Sequence, residues 1–181
     1  MVSRWGAVLR GAAATGLRKA LRSASRQGTS SASRSPERSS QSPGSRSYPG
    51  DFVGRASVAY TPSPDGRADP GEIVWGWVPY EEDSTRGKDR PALVIGRDGP
   101  WVLALMLTSR DHDRSAWRDA RGAVWHDIGS GDWDRQGRAS EVRLDRVLRL
   151  DPDGIRREGG QLDHDRFDQV AVRLRALHGW D

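Results

Sequence analysis

The chain has 181 residues, no cysteine and a formal net charge of +4 at neutral pH. The absence of cysteine excludes disulfides, thiolate zinc sites and cysteine nucleophiles, and no apolar run is long enough to span a bilayer. Residues 1–50 hold nine basic residues and one acidic residue (net +8), whereas residues 51–181 hold 20 basic and 24 acidic residues (net −4). The basic character belongs to the N-terminal segment, so any anion site in the remainder must be local.

The first 47 residues do not have the composition of a folded domain. Residues 1–22 space apolar side chains as a helix does, with Arg and Lys between them, which predicts a basic amphipathic helix. Residues 23–47 include 11 serines and cannot bury enough apolar surface to offset their ordering entropy, so we expect a disordered linker. Three roles stay open: a solvated tail, a contact with an acidic membrane surface or nucleic acid, and a cleaved targeting signal.

Residues 48–70 are rich in Gly, Pro and Asp and are interpreted as an ordered strap. Its aromatic residues Tyr48, Phe52 and Tyr60 are expected to pack on the domain that follows. We place that domain at residues 71–181.

The pattern from Gly71 onward predicts about five short strands and one helix. Strands are predicted at 72–78, 90–95, 101–107, 123–128 and 140–150, and the last of these is either one strand or two strands joined by a bend. Apolar side chains from Phe167 to Leu177 then form one helical stripe, with Asp163 or Asp165 as the N-cap and Gly179 as the stop. The predicted fold class is mainly β (β-rich α+β), a small twisted barrel or sheet with an amphipathic helix at its C-terminal end.

The chemically most informative residues flank the second and third predicted strands. Arg90 stands at the start of the second strand, and Thr108 and Ser109 end the third. A tight Gly-Pro turn joins the two strands, so a fixed cation and two hydroxyls can meet at one sheet edge, an arrangement that suits a phosphodiester. Two simpler interpretations remain: an ion pair of Arg90 with the acidic stretch 81–83, and ordinary strand-end hydrogen bonding by the hydroxyls.

Four further residues are secondary candidates. Lys88 is positioned for a second phosphate contact. His112 is a candidate general acid or base, because histidine is the side chain that changes charge near neutral pH, although a solvated loop histidine is the simpler interpretation. Trp117 and Trp133 are predicted in loops, where they can stack on unpaired bases or pack in the core. No metal site is expected, because the calcium-loop-like stretch from Asp132 has no carboxylate at its last ligand position.

Several of these segments occur in an order typical of one family. They are Gly71-Glu72-Ile73-Val74-Trp75, Lys88-Asp89-Arg90-Pro91-Ala92-Leu93-Val94-Ile95, Leu107-Thr108-Ser109 and Ser140-Glu141-Val142-Arg143-Leu144-Asp145-Arg146-Val147, followed by the terminal helix. With this spacing, residues 71–180 resemble the PemK/MazF family of toxin endoribonucleases. Residues 1–70 have no counterpart in the short toxins of that family.

The resemblance implies an SH3-like barrel, usually a homodimer, that cleaves single-stranded RNA in the cytoplasm without a metal or another cofactor. It also implies a cognate antitoxin protein that masks the RNA groove. On this pattern Arg90 and Thr108 correspond to the active-site arginine and threonine. The main alternative is a non-catalytic SH3-like module that binds nucleic acid or a protein partner, and a third is a DNA-binding regulator that acts through the basic tail.

Overall fold

The computed structural model describes residues 46–110, 119 and 121–180. The helix predicted for residues 1–22, nearly all of the linker at 23–47, His112 and Trp117 lie outside the described residues.

The described chain forms six strands and one α-helix. The strands are β1 (Glu72–Pro79), β2 (Gly87–Asp98), β3 (Trp101–Thr108), β4 (Trp125–Gly129), β5 (Ser140–Leu150) and β6 (Ile155–Gln161), and the helix is α1 (His164–His178). A single turn of 3₁₀-helix, Pro152–Gly154, connects β5 to β6. All strands pair antiparallel in the order β4-β5-β3-β2-β1-β6. The predicted fold class, mainly β with a C-terminal helix, is confirmed.

β6 is the element that the sequence pattern did not predict. Its sequence is Ile-Arg-Arg-Glu-Gly-Gly-Gln, which lacks apolar alternation and contains two glycines. Its register with β1 shifts at two points, and such irregularities are common at the edge of a sheet.

The sheet curls and has a separate apolar cluster on each face. One cluster includes Leu93, Leu105 and the buried side of α1. The other is built mainly from Val and Ala, such as Val94 and Ala104. β5 also approaches β1 and β2 across the sheet, and register shifts interrupt four of the five strand pairings, as expected where bulges bend a sheet. The small side chains of the second cluster suit the inside of such a curl.

Helix α1 begins and ends at the residues that the sequence indicated. The Asp163 carboxylate accepts hydrogen bonds from the backbone N–H groups of Asp165 and Arg166, so Asp163 is the N-cap. Gly179 ends the helix in the left-handed conformation with φ 65°. Phe167 and Leu174 lie on the buried stripe. Among the described residues, no helix is long and apolar enough to cross a membrane.

Residues 46–71, the part of the chain before β1 that the structure describes, contain no helix or strand, and this part packs on the domain. Val58 is buried in the cluster under α1, and the Phe52 ring contacts the Trp180 ring edge-on at 6.1 Å. The Tyr60 hydroxyl donates to the Leu162 carbonyl at 2.8 Å. The nearly buried Arg146 of β5 donates to the Asp51 carboxylate at 2.8 Å. These contacts fasten residues 51–60 to the sheet and to the end of the chain.

The packing of α1 gives a stability prediction. Phe167→Ala is expected to lower the free energy of unfolding by about 3–5 kcal/mol, because it removes a fully buried aromatic side chain. The matched change Val172→Ala, at an exposed position of the same helix, is expected to stay within about 0.5 kcal/mol of wild type. Urea unfolding followed by tryptophan fluorescence measures both. Equal effects would contradict this placement of the helix.

Candidate active site

A cavity of about 510 Å³ opens where the start of β2 meets the end of β3. One wall, the strand-end wall, consists of residues 88–91 and 107–109, and includes the predicted Lys88, Arg90, Thr108 and Ser109. The volume of the cavity falls in the range of small-ligand pockets and is large enough for part of a nucleotide chain. With Trp133 on another wall, five of the residues proposed from sequence therefore line one cavity.

The strand register explains why Arg90 and Thr108 come together. Ala92 pairs with Met106 across β2 and β3. This is the last pair of the β2–β3 ladder, and Arg90 and Thr108 each lie two residues beyond it, on the same faces of their strands as Ala92 and Met106. On the other side of β2, Arg90 pairs with Gly76 of β1, which has no side chain to compete for the space. The guanidinium and the hydroxyl are thus placed by backbone pairing.

The Arg90 side chain is half-buried and makes no hydrogen bond or ion pair with another described residue. No carboxylate of the acidic stretch 81–83 pairs with Arg90, and two of the three are engaged elsewhere. The Glu81 carboxylate pairs with Arg143 at 2.8 Å, and the Asp83 carboxylate accepts from the Thr85 hydroxyl at 2.6 Å, which holds the pKa of Asp83 below its usual range. Within the described part of the chain, the Arg90 fork is available to an anion.

The hydroxyl side of this wall is partly organised. Thr108 Oγ1 accepts a hydrogen bond from the Arg110 backbone N–H at 3.1 Å, which is the strand-end bonding anticipated as the simpler interpretation. A threonine oxygen that accepts one bond still has its own O–H to donate. Thr108 can therefore offer that proton to a phosphate oxygen while the Arg110 contact orients it.

The opposite wall is a turn at residues 131–138, which contributes Asp134, Arg135, Gln136 and Arg138 to the cavity. We call it the specificity turn after the role that we propose for it. The sequence analysis identified this stretch only as a turn and a failed calcium loop. Its two arginines and one glutamine are residue types that can bind RNA. Nothing in the sequence shows, however, that this turn faces the start of β2.

Trp133 anchors the specificity turn to the body of the domain. It lines the cavity, but its side chain is only 4% exposed and its indole Nε1–H donates to Ser140 Oγ at 3.0 Å. Trp133 is in a loop, as predicted. Because it is buried, it forms part of the cavity wall and its ring is not exposed for stacking on a base. A Cβ on Gly131 would lie 2.1 Å from the Trp133 ring, so this position requires glycine.

The cavity lining carries four cations, Lys88, Arg90, Arg135 and Arg138, and two carboxylates, Asp89 and Asp134. Its net charge of +2 contrasts with the net −4 of residues 51–181. A positive cleft in an acidic domain concentrates the field on an anionic ligand.

Both carboxylates of the lining are held by arginines. The Arg138 guanidinium, at 2.7 Å, and the Gln136 backbone N–H hold the pKa of Asp134 below its usual range. Asp89 forms an ion pair with Arg156 of β6 through Oδ2, and its Oδ1 is buried with no hydrogen-bond partner among the described residues. The described residues contain no group of three or more His, Asp and Glu side chains placed to hold a metal ion.

Comparison with known proteins identifies the family. Residues 69–178 match the family described as PemK-like, MazF-like toxin of type II toxin-antitoxin system. This span covers more than half of the chain, and the chain belongs to that family. The resemblance drawn from the motifs is therefore confirmed. No curated protein matches the chain.

Solved structures of similar proteins include three toxins. MazF (Form-I) from Deinococcus radiodurans is 21% identical with a TM-score of 0.47, and the alignment covers 64% of this chain and 99% of that chain. An endoribonuclease in complex with its cognate antitoxin from a mycobacterial species is 16% identical with a TM-score of 0.44, covering 61% and 93%. The Mycobacterium tuberculosis toxin MazF-mt6 is 16% identical with a TM-score of 0.41, covering 61% and 98%.

The anchor of the specificity turn can be tested by a double-mutant cycle. Ser140→Ala is expected to cost about 1–3 kcal/mol, since it leaves the buried Trp133 N–H without its acceptor. Trp133→Phe removes the donor and leaves a gap. Combining the two should cost less than the sum of the single changes by about 1 kcal/mol, as measured by urea unfolding. Strict additivity would show that this hydrogen bond does not hold the turn.

Proposed function

We propose that this protein is a toxin-type endoribonuclease that cleaves single-stranded RNA by metal-independent transesterification, as the toxin of a toxin-antitoxin system. The observation that supports this most directly is Arg90, which has no partner among the described residues and stands beside Thr108 in a net-positive cleft. Membership of the family supports the assignment as a toxin. The chemistry of the site supports RNA as the class of substrate.

In the proposed reaction a ribose 2′-oxygen attacks the adjacent phosphorus while the bond from phosphorus to the 5′-oxygen breaks. The products are a 2′,3′-cyclic phosphate and a 5′-hydroxyl. One proton leaves the 2′-hydroxyl and one is delivered to the departing 5′-oxygen. Arg90 binds the non-bridging oxygens through its planar fork and stabilises the charge that develops on the phosphorane. A guanidinium keeps its proton in a protein and is therefore a poor general base.

The remaining wall residues complete this proposal. Thr108 donates its O–H to a phosphate oxygen or orients the 2′-hydroxyl, and Ser109 extends the same hydroxyl edge. Lys88, exposed at the start of β2, holds a neighbouring phosphate. His112, three residues beyond Ser109, is proposed as the group that moves the proton, and Trp117 as a stacking surface for a base.

The partners follow from the same class. We expect a cognate antitoxin protein whose acidic segment occupies the positive cleft and excludes RNA from it. We also expect a homodimer acting in the cytoplasm. The basic N-terminal segment would make at most weak contacts with acidic surfaces, whether membrane or nucleic acid.

The alternative is a non-catalytic module that binds nucleic acid or a protein through the same cleft. One observation favours it: no histidine is among the described residues that line the cavity. RNA that is bound by the wild-type protein but left intact would select this function over cleavage.

Arg90→Ala is expected to lower the rate of single-stranded RNA cleavage by about 10²–10³-fold in the presence of a chelator, because an oriented donor to the transition-state charge is lost. Arg90→Lys should be intermediate, since it keeps the charge and loses the fork. Arg173→Ala, on the exposed face of α1, is the control and should cleave as wild type does. The measurement is the initial rate on a labelled oligoribonucleotide. Arg90→Ala with wild-type activity would reject the catalytic assignment.

His112→Ala is expected to abolish one limb of the pH–rate profile. A histidine near its ordinary pKa of about 6.5 should give the wild type an inflection in that region, and removing it should lower and flatten the curve. His164→Gln, an exposed position on α1, should keep the wild-type profile. An unchanged inflection in His112→Ala would show that another group moves the proton.

A further inference from the structure

The specificity turn is held in shape by contacts within itself and with the sheet. The Asp134 carboxylate accepts from the Gln136 backbone N–H at 2.9 Å through Oδ1 and from Arg138 Nε at 2.7 Å through Oδ2. The Asp134 N–H donates to the Gly131 carbonyl at 3.1 Å, and the Gly137 N–H donates to the Asp134 carbonyl at 2.8 Å. These hydrogen bonds, together with the buried Trp133 side chain, restrict the conformations that the turn can adopt. Such preorganisation reduces the ordering cost of binding.

Two side chains of this rigid turn are left available. Arg135 and Gln136 are exposed, line the cavity and make no side-chain hydrogen bond or ion pair within the described part of the chain. Asp134, by contrast, is satisfied by Arg138. The backbone of the turn is held in place, and from it one cation and one amide line the cavity across from the strand-end wall, which carries Arg90 and Thr108.

The chemistry of these two groups differs in what each can recognise. A guanidinium binds phosphate oxygens without regard to base identity. A glutamine amide has one acceptor and two donor hydrogens, and its bidentate match among base edges is adenine, through N6 and N7. Sequence-specific RNA binding generally reads such edges on unpaired bases.

We propose that the specificity turn selects the RNA sequence, with Gln136 reading an adenine edge next to the scissile phosphate and Arg135 holding a neighbouring phosphate. This inference rests on the proposed endoribonuclease function and adds to it the determinant of the site that is cut. Asp134 is a positioning residue in this scheme, because it acts through the shape of the turn.

Two variants separate the two roles. Gln136→Glu is nearly isosteric but loses both amide donor hydrogens, so the adenine preference at one position should fall at least tenfold while cleavage elsewhere persists. Arg135→Ala should weaken binding to all sequences by a similar factor and reduce the slope of log affinity against log salt by about 0.7, the value for one phosphate contact on a single strand. Arg121→Ala, an exposed arginine outside the cavity lining, is the matched control.

The cleavage arm uses a pool of single-stranded RNA with randomised sequence, and the new 5′ ends are mapped for each variant. The binding arm uses oligoribonucleotides with a 2′-deoxy residue at the cut nucleotide, which prevents transesterification, and compares adenine with the other three bases at each position. Thermal melting confirms that the variants, changed at exposed positions, remain folded.

The outcomes are distinguishable. An adenine preference that is lost in Gln136→Glu and kept in Arg121→Ala supports the inference. The same base preference in Gln136→Glu as in wild type, in either arm, overturns the reading role of Gln136, and an unchanged salt slope in Arg135→Ala overturns its phosphate contact. If wild type leaves RNA intact, the proposed function fails, while the binding arm still decides whether the turn discriminates bases.

Discussion

The pairing register of β2 is the constraint on which the site depends. β2 pairs with β1 on one side and β3 on the other, so one strand fixes both the core and the cleft. A slip of one residue would move every side chain of β2 to the opposite face. Leu93 would then leave the cluster under α1, and Arg90 would no longer share a face with Thr108. The fully buried positions of β2 therefore enforce the geometry of the charged positions at its exposed end.

The second requirement is that Arg90 is not neutralised by the protein itself, as the cleft residue Arg138 is by Asp134. Residues 51–181 contain more acidic than basic residues, so free arginines are not the default. The structure assigns most of the nearby acids to other partners: Glu81 to Arg143, Asp134 to Arg138 and Asp89 to Arg156. One partner of each pair is exposed, and ion pairs near the surface contribute little to stability. Their larger effect is to decide which cations remain available to a ligand.

The sequence was sufficient for the parts of the site that are local in the chain. Arg90 and Thr108 lie on the two strands of one hairpin, at the end away from its turn, so chain order alone brings them to the same edge of the sheet. The register shift between Val94 and Gly96 moves their alignment by one residue, and counting from the turn does not predict that shift. The specificity turn could not be placed this way, because it reaches the cleft through the β3–β5 pairing, which is not local. β6 was not predicted for a related reason: its pairing with β1 is not local in the chain and does not need an apolar pattern. The burial of Trp133 depends likewise on the tertiary position of Ser140.

The folding unit of the described chain is larger than the span that matches the family. The match begins at residue 69, yet Val58 is buried in the main apolar cluster and the Trp180 indole donates to the Gly54 carbonyl at 2.6 Å. The chain also passes so close to β2 that a Cβ on Gly96 would lie 3.0 Å from the Ser57 carbonyl oxygen. Removing residues 51–60 would expose the face of the sheet beside α1. This segment therefore belongs to the core of this protein, although the family pattern does not contain it.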